Sequence, residues 1–314
     1  MTGRVVHTGQ AIVDLVMNVA AVPRPGADVF ATDSAMEVGG GFNVMAAARR
    51  EGAGVLYAGG HGTGPLGDLV RRTLATEGVD VLQTPHPGLD SGFCVALVDD
   101  DAERTFVSTV GAEGAVPDDA FDAVEVRPGD VVYVTGYSLH HPATAAALAR
   151  LLGRIGGQVP VVVDASPVIG DVPAAALATV RDAATTWTVN EREARILLGR
   201  LDEGTDAPSL APRELASRLS RALDALVLVR VGADGCWVAP AGTEPVLVPG
   251  VKVTAVDTNG AGDAHTGVLC ADLALGRDLL EAVRRANVAA GIAVTRRGPA
   301  TSPTADEITA ALAG

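Results

Sequence analysis

The sequence predicts an α/β fold, in which helices cover a mostly parallel central sheet and a small second sheet is attached. Short runs of β-branched residues alternate with alanine-rich helical stretches, which is the pattern of βαβ units. The 314 residues are 48% hydrophobic and 20% charged, so the chain can bury a sizeable core and is not predicted to be disordered. We therefore expect one large domain with a minor element.

The strands and helices of this domain follow one another along the chain. After an opening strand, strand-like segments lie at 54–60, 130–136, 159–165, 186–190 and 225–232. Helical segments lie at 66–78, 142–156, 172–183, 191–199, about 211–224, 261–276 and 279–296. Gly276 is placed as a stop signal for the helix that precedes it. The order predicts that helices carry the chain from one parallel strand to the next.

Two segments interrupt this alternation, residues 12–37 and 91–110, and both are predicted to be short strands without helices between them. The second has the pattern of a hairpin around the acidic turn Asp99–Glu103. We expect the two segments to form a small β lid over one edge of the sheet, with residues 1–11, 38–90 and 111–314 as the main domain. Because an uncovered strand edge tends to find a partner, a homodimer through the lid is a further expectation.

The charge and cysteine patterns narrow the partners and the compartment. The net charge of −14 provides no basic face for phosphate neutralisation, so no binding to nucleic acid or to an anionic membrane is expected. No apolar run reaches the roughly 18 residues of a spanning helix, and Asp14 interrupts the N-terminal segment where a signal peptide would be apolar. Cys94, Cys236 and Cys270 lie far apart and form no CxxC pair, which fits a reducing cytosol. We therefore expect a cytoplasmic protein.

Two common nucleotide-binding motifs do not explain the glycine-rich segments. Residues 62–67 (GTGPLG) fit G-x-G-x-x-G, but they follow a later strand than a dinucleotide fingerprint does. The acidic residue expected about 20 positions further on is missing, since Asp80 comes too soon and Asp90 lies in a loop. A Walker A loop needs a lysine, and Lys252, the only lysine, lacks that context. The segment 62–67 is therefore better explained as a helix entry.

Residues 257–263 (DTNGAGD) place small side chains directly before an apolar helix. The start of a helix presents unpaired N–H groups and the positive end of the helix dipole, so Gly260, Ala261 and Gly262 would let a phosphate reach the backbone. Asp263, in the first turn, is either a helix-capping carboxylate or a group that does chemistry beside a bound anion. The residue types alone leave both interpretations open.

The string 257–263 also resembles the C-terminal signature of the ribokinase/PfkB family of carbohydrate kinases. The likeness extends over nearly the whole chain and includes a glycine-rich first signature at 39–47, a second-helix segment at 62–81, an N-x-x-E element at 190–193, a glycine loop at 231–235 and a C-terminal segment at 287–298. The chain departs from the family pattern at four places. Gly64 stands where the family usually has an aspartate, and Gly41 and Phe42 stand where ribokinases have a lysine. Residues 164–167 (DASP) replace the usual Asp-x-Asn-x-Arg, and His265 replaces an aromatic residue.

The resemblance implies a ribokinase-like three-layer sandwich with a β lid, and ATP- and Mg²⁺-dependent phosphorylation of a hydroxyl group on a small sugar. It implies that Asp263 is the general base and that the amides of Gly260, Ala261 and Gly262 hold the γ-phosphate. The implied substrate-binding residues are Asp14, Gly40, Gly41 and Asn43, and the implied nucleotide-binding residues are Asn190, Gly232, Gly235 and Asn287. It places Mg²⁺, through water, at Asn190 and Glu193, and a possible K⁺ beside Asp257.

Several of these positions also have a simpler structural interpretation. Asn190 and Glu193 lie three apart and share a helix face that could order Mg²⁺ waters, or they form a capping box. Gly232 and Gly235 mark a turn between strands, and the same lack of side chains would let a nucleotide lie close. His265 is expected to pack in the core, and a proton-handling role is the alternative.

The sequence leaves the acceptor open. A phosphosugar would favour an arginine near the lid, and Arg104 is the main candidate for such a substrate contact. A nucleoside is the alternative, because three phenylalanines could flank a base, although they more readily form the core of the lid: Phe42, Phe93 and Phe106. A catalytically silent ligand sensor on the same fold is the third possibility, and the intact Gly260–Asp263 string argues against it. The histidines at 140–141 lack a third ligand and are expected at the surface.

Overall fold

Thirteen strands form two sheets in the described part of the chain, which comprises residues 3–100, 103–202 and 207–313 of a computed structural model. The strands are β1 (Arg4–His7), β2 (Ala11–Asn18), β3 (Asp33–Gly40), β4 (Gly54–Tyr57), β5 (Asp80–Val81), β6 (Phe93–Val98), β7 (Arg104–Ser108), β8 (Val131–Thr135), β9 (Val161–Asp164), β10 (Thr186–Asn190), β11 (Leu226–Arg230), β12 (Gly235–Ala239) and β13 (Val246–Pro249). Nine form the main sheet, in the order β13-β12-β11-β10-β9-β8-β1-β4-β5. The other four, in the order β3-β2-β6-β7, form a second sheet that we call the lid.

Ten α-helices accompany these strands within the described ranges. They are α1 (Gly41–Arg50), α2 (Pro65–Thr76), α3 (Gly136–His140), α4 (Pro142–Ile155), α5 (Ala174–Ala183), α6 (Glu191–Leu201), α7 (Pro212–Leu223), α8 (Ala261–Ala274), α9 (Leu279–Ala293) and α10 (Ala305–Ala313). None of these helices is both long and apolar enough to span a bilayer. Helices α1, α3 and α10 are additional to those that the sequence pattern predicted, and Gly276 ends α8 with a positive φ of 78°, as predicted.

The main sheet lies between two layers of helices. Neighbouring strands from β11 to β5 pair in parallel, and β12 pairs antiparallel with both of its neighbours, β11 and β13. Along β8, Val132 and Val134 pack with α4 to α7, while Val131 and Tyr133 face the layer of α1, α2 and α8. Helices α9 and α10 extend that second layer over β12 and β13. The predicted α/β class, with a mostly parallel sheet and a second small sheet, is confirmed.

The lid confirms the predicted strand pattern and hairpin. Strands β6 and β7 pair antiparallel, and β2 joins the hairpin by pairing in parallel with β6. The acidic turn expected between β6 and β7 contains Asp101 and Ala102, which lie outside the described residues. One face of the lid carries the apolar cross-strand row Met36, Leu15, Val95 and Val107, and the opposite face carries the row Glu37, Asp14, Cys94 and Ser108.

The glycine-rich segment 62–67 is a helix entry, as expected from the sequence. Gly64 precedes α2, and the carboxylate of Asp90 accepts hydrogen bonds from the amides of Leu66 (3.1 Å) and Gly67 (2.6 Å). The positive end of α2 is therefore already matched by a carboxylate of the chain itself, which agrees with the rejection of a dinucleotide site there.

Polar residues collect where the parallel strands of the main sheet end. Thr135, Asp164, Asn190 and Arg230 are the last residues of the neighbouring strands β8, β9, β10 and β11. In open α/β sheets, ligands bind in the crevice outside the carboxyl ends of the strands. The fold therefore predicts the functional site at this edge, where α8 also begins.

Candidate active site

The first turn of α8 has the geometry of an anion-binding site. Gly260 precedes the helix with a φ of 74°, and a Cβ there would lie 1.9 Å from the carbonyl oxygen of Pro299, so no other residue fits without rearrangement. The first intrahelical bond runs from Ala264 N to Gly260 O (2.8 Å), which leaves the amides of Gly262 and Asp263 without a carbonyl of the helix. Unpaired amides and the helix dipole both favour a negative charge here.

Asp263 stands beside these amides and accepts a hydrogen bond from Asn43 on α1, with an Nδ2 to Oδ2 distance of 2.9 Å. Burial raises the pKa of Asp263 to about 6, and the charge of Asp164 acts in the same direction. The hydrogen bond from Asn43 and the charge of Arg230 oppose this rise of the pKa. The carboxylate is thus mostly ionised at neutral pH. Its pKa also lies close to neutrality, as a general base requires.

Asp14 on the lid faces the same space. A Cβ on Gly39 would lie 2.0 Å from Asp14 Oδ2, so the carboxylate rests against the glycine-rich segment that leads into α1. Glu37 is the direct cross-strand neighbour of Asp14. Burial raises the pKa of Asp14 to about 6, and the charges of Asp263 and Glu37 add to the effect. The structure therefore brings Asp14, Asn43 and Asp263 together, as the sequence predicted.

The two other glycines predicted in this cradle form the junction between lid and helix. Gly40 is the last residue of β3 and precedes α1, and Gly41 N donates a hydrogen bond to Gln10 O at 2.8 Å. Gly41 packs closely against the ring of His7, where a Cβ would lie 2.3 Å from the imidazole. Both glycines position the loop beside Asp14, and a direct contact of either with substrate stays a prediction.

Arg104 reaches from the lid to Asp257 and not into the cradle. Its guanidinium group forms an ion pair with Asp257 Oδ1, which also accepts from Asn259 N at 2.8 Å. The second carboxylate oxygen, Oδ2, accepts from Gly298 N at 3.2 Å. The positive charge that was expected to contact a phosphosugar is therefore matched within the protein, and a K⁺ site beside Asp257 stays a prediction.

Asn190 and Glu193 form the capping box that was one of their two interpretations. Asn190 N donates to Glu193 Oε2 at 2.8 Å, and Glu193 N donates to Asn190 Oδ1 at 2.9 Å. In the described ranges, Glu193 Oε1 has no hydrogen-bond partner, whereas Asn190 is exposed. These free groups fit the ordering of Mg²⁺ waters, so that the cap and the predicted metal role are compatible.

The remaining residues that were predicted to bind a nucleotide differ in how accessible they are to a ligand. A Cβ on Gly232 would meet nothing within 4 Å, whereas one on Gly235 would lie 2.1 Å from the carbonyl oxygen of Val248. Asn287 is 6% exposed, and its amide donates to the carbonyls of Val248 (3.0 Å) and Pro249 (3.1 Å). Gly232 is thus open to a ligand, while Gly235 and Asn287 hold β13 in place.

The histidines singled out in the sequence divide between the core and the surface. Burial lowers the pKa of His265 to about 3, Arg230 acts in the same direction and Asn287 opposes it. A neutral, 2% exposed imidazole with this pKa fits packing rather than proton handling near neutral pH. His140 is exposed, as expected, but His141 is half-buried, and its pKa is lowered by burial and by His140.

Sequence reasoning missed Arg230, which lies at the centre of the site. Its Nη1 donates to Asp164 Oδ2 (2.9 Å) and to Thr266 Oγ1 (2.9 Å), and its Nη2 lies 3.4 Å from Glu193 Oε2. Burial alone would lower the pKa of Arg230, but Asp164 and Glu193 raise it above its ordinary value. The available signal was an arginine that ends an otherwise apolar strand, directly before a glycine loop.

Tyr137 is a second residue that the sequence did not indicate. It lies on the short helix α3, which follows β8 at the carboxyl edge of the sheet. Burial raises its pKa, and the charges of Asp263 and Asp164 add to the effect, which places the phenol near the proposed base. Tyr137 is 37% exposed, so its side chain is accessible to solvent.

Comparison with known proteins identifies the family of the chain. A model of the pfkB family of carbohydrate kinases matches residues 2–306. The uncharacterized sugar kinase YegV of Escherichia coli, strain K12, is 32% identical over 305 residues, which cover 97% of this chain and 92% of that protein. The ATP-dependent ribose-1-phosphate kinase of Halopiger xanaduensis is 31% identical over 319 residues, covering 98% of both. The crystal structure of ribokinase from Thermotoga maritima covers 99% of both chains with a TM-score of 0.82 at 21% identity, which shows the shared fold. The chain therefore belongs to the pfkB family of carbohydrate kinases.

Proposed function

We propose that the protein transfers the γ-phosphoryl group of ATP to a hydroxyl group of a small, neutral sugar. The observation that carries this proposal is the position of Asp263. Its carboxylate, with a pKa of about 6, lies in the same turn as the free amides of α8 and faces the polar cradle of Asp14 and Asn43. A base beside an anion-binding helix start is what phosphoryl transfer to an alcohol requires.

In the proposed reaction, Asp14 and Asn43 orient the sugar so that one hydroxyl group points at Asp263. The carboxylate takes the hydroxyl proton while the sugar oxygen forms a bond to the γ-phosphorus. The bond between the γ-phosphorus and the β,γ-bridging oxygen breaks, and ADP leaves with that electron pair. The free amides in the first turn of α8 stabilise the charge on the transferred phosphoryl oxygens. Positioning and charge stabilisation thus supply most of the rate enhancement.

Two cations are part of this proposal. Mg²⁺ would be held by the phosphates and, through water, by Glu193 and Asn190, and it neutralises charge on the phosphates when bound. K⁺ is proposed as an activator beside Asp257. Because Arg104 and the amides of Asn259 and Gly298 already contact this carboxylate, backbone carbonyls would supply most of the cation's ligands. Rates in K⁺ and in a large organic cation would show whether the activator is used.

The charges of the cradle favour a neutral acceptor over a phosphosugar. Asp14, Glu37 and Asp263 are acidic, and Arg104, the cation expected to bind a sugar phosphate, pairs with Asp257. The similarity to a ribose-1-phosphate kinase supports the alternative that this chain phosphorylates a phosphosugar. A nucleoside is less well supported, because Phe42 is buried and Phe93 packs against the same core, which leaves only Phe106 exposed among the three.

The proposal is tested by incubating the protein with Mg²⁺ and ATP and a panel of pentoses, hexoses, sugar acids, phosphosugars and nucleosides, while measuring ADP release. We expect turnover with at least one neutral sugar. We expect less than one tenth of that kcat/KM for its phosphorylated counterpart, because like charges repel in a partly buried cradle. Turnover only with phosphosugars would contradict the choice of acceptor, and silence across the panel would favour the sensor alternative.

We also propose that the lid pairs with the lid of a second copy. The apolar row on its outer face is exposed at both edge strands, with Met36 55% and Val107 64% accessible. Exposed apolar surface next to open strand edges favours association. Light scattering coupled to size exclusion should give the mass of a dimer, and Val107→Lys should shift it towards the monomer. A monomer at all concentrations would contradict the proposal.

A further inference from the structure

Arg230 joins two carboxyl groups at the carboxyl edge of the sheet. Its guanidinium group contacts Asp164 at the end of β9 and Glu193 in the first turn of α6, at 2.9 and 3.4 Å. Asp263 stands close enough for Asp164 to raise its pKa and for Arg230 to lower it. We call these four residues the site cluster: Asp164, Glu193, Arg230 and Asp263.

The same guanidinium group packs against the start of α8. Its Nη1 donates to Thr266 Oγ1 at 2.9 Å, and Thr188 Oγ1 on β10 accepts from it at 3.1 Å. A Cβ on Gly262 would lie 3.6 Å from Cζ of Arg230, so the planar group lies against the turn that carries the free amides. Arg230 therefore connects the edge of the sheet to the first turn of α8 and supports that turn.

The site cluster is not balanced in charge, since three carboxyl groups share one guanidinium group. The ionisable groups around the site cluster come from every element packed there: Asp14 (β2), Glu37 (β3), Cys94 (β6), Tyr133 (β8), Tyr137 (α3), Asp164 (β9), Arg192 and Glu193 (α6), Arg230 (β11), Cys236 (β12), and His265 and Cys270 (α8). Arg230 is the one cation of this set with a contact to the carboxylates of the cluster, since Arg192 is exposed on α6 and only its charge acts on Glu193. Without it, a polyphosphate would approach an uncompensated group of acids.

We propose that Arg230 is a positioning residue for phosphoryl transfer, which neutralises Asp164 and Glu193 and braces the first turn of α8 so that the terminal phosphate of ATP can reach the Gly260–Gly262 amides. The inference rests on the proposed function. Arg230 acts on the reacting groups through the carboxylates and the helix turn that it contacts, and its own hydrogen bonds are made to the protein.

Removing the charge of Arg230 should weaken binding of a triphosphate more than binding of a diphosphate. Equilibrium titrations with AMP-PNP, ADP and adenosine, all with Mg²⁺, would be made on the wild-type chain and on Arg230→Gln. We expect the Kd of AMP-PNP to rise about 10- to 30-fold and that of ADP about 3-fold, because the γ-phosphate lies closest to the cluster. The Kd of adenosine should stay unchanged. Arg230→Lys keeps the charge and should recover most of the loss.

The matched control is Arg285→Gln, which removes a buried guanidinium group from two other carboxyl groups, Glu51 and Asp272. It should lower the stability of the fold without changing the ratio of the AMP-PNP and ADP affinities. An equal loss of both affinities in Arg230→Gln, as in a merely structural defect, would overturn the proposal.

A double variant keeps the proposal testable even where Arg230→Gln folds poorly. Adding Asp164→Asn removes one of the carboxylates that Arg230 neutralises, so the charge account predicts that the pair binds AMP-PNP at least 3-fold more tightly than Arg230→Gln alone. If the two substitutions instead weakened AMP-PNP binding additively, the charge account would be contradicted. The acidic limb of the pH profile supplies a further readout, because loss of Arg230 should move it to higher pH.

The proposed function and the proposed role of Arg230 can be rejected separately. If the wild-type chain bound AMP-PNP but released no ADP with any acceptor, the proposed function would be wrong while the affinity ratios still tested Arg230. If the wild-type chain turned over and Arg230→Gln kept the wild-type ratio of affinities, the role of Arg230 alone would be wrong.

Discussion

Each end of α8 lies beside a group of buried carboxyl groups that pair with arginine, and the two groups differ in charge balance. At the C-terminal end, Arg285 donates to Glu51 Oε1 (2.8 Å) and Arg277 donates to Asp272 Oδ1 (2.6 Å). Arg285 also lies 3.4 Å from Asp272 Oδ2. We call these four residues, two acids and two arginines, the structural cluster.

At the N-terminal end, the site cluster has three acids and one arginine. Both clusters bury carboxylates, but only the site cluster leaves one of them, Asp263, facing a cleft with free amides beside it. Burial and the neighbouring Glu51 raise the pKa of Asp272 as well, so a raised pKa does not distinguish the two ends of α8. Two arginines share the two acids of the structural cluster, whereas one arginine serves the three acids of the site cluster. The comparison teaches that access to free amides, rather than burial or a raised pKa, distinguishes the proposed functional end of the helix.

The largest difference between the two ends should appear in Asp263→Asn. We expect kcat to fall by roughly 10²- to 10⁴-fold, because the amide cannot accept the hydroxyl proton. Binding of AMP-PNP with Mg²⁺ should be largely kept. The matched variant Asp272→Asn, at the other end of α8, should keep kcat within about 3-fold. Near-normal turnover of Asp263→Asn would remove Asp263 from the role of base.

The next largest effect concerns the structural cluster. Arg285→Gln should lower the free energy of unfolding by about 3–5 kcal/mol, because it leaves Glu51 buried and unmatched except by Arg277 at 3.9 Å. Urea unfolding followed by circular dichroism measures the change, and steady-state kinetics on the folded protein should give a kcat close to that of the wild type. A loss of kcat without a loss of stability would contradict the distinction between the clusters.

Asp263→Asn should also stabilise the fold at neutral pH. The folded-state pKa of Asp263 is raised from 3.8 to about 6, so the folded state carries an ionisation penalty that is fully present above pH 6 and is relieved as the pH falls towards 4. Removing the charge should add on the order of 2–3 kcal/mol at pH 7.5 and little at pH 4. Unfolding curves at the two pH values check this, and an equal gain at both would contradict the cause.

The smallest expected effect is a shift in the pH profile of Asn43→Ala. The wild-type kcat/KM should fall below about pH 6, where Asp263 and Asp14 become protonated. Asn43 donates to Asp263 and lowers its pKa, so loss of the amide should move this acidic limb to higher pH. Asn18→Ala, elsewhere on the lid, should leave the limb in place. A limb that moved to lower pH would contradict the assignment.

The layers of the fold and the start of α8 could be predicted from the sequence because local patterns determine them. Apolar runs at strand and helix spacing predicted the parallel sheet, and the small residues before Asp263 predicted a helix start with unpaired amides. That these amides bind a phosphate stays a prediction. Gly276 ended the helix as its position indicated. These features depend on neighbours in the chain, which a single sequence displays.

Arg230 could not be predicted in the same way, because its environment depends on distant partners. In the sequence it is one arginine before a glycine loop, where a solvated side chain is the usual expectation. Its burial follows from Asp164, 66 residues earlier, and Thr266, 36 residues later. The pairing of Arg104 with Asp257, 153 residues apart, was hidden for the same reason, so the predicted sugar-phosphate contact does not match the contact that the structure shows.

The most direct test of the central claim is to follow phosphate on the acceptor as well as on the nucleotide. The wild-type chain and Asp263→Asn would be incubated with Mg²⁺, ATP and the best neutral sugar, and phosphorus NMR would quantify the sugar phosphate and ADP. We predict one sugar phosphate for each ADP in the wild type, and about 1% or less of that rate in the variant. Formation of ADP and inorganic phosphate without a sugar phosphate, or equal rates in the two proteins, would contradict the account.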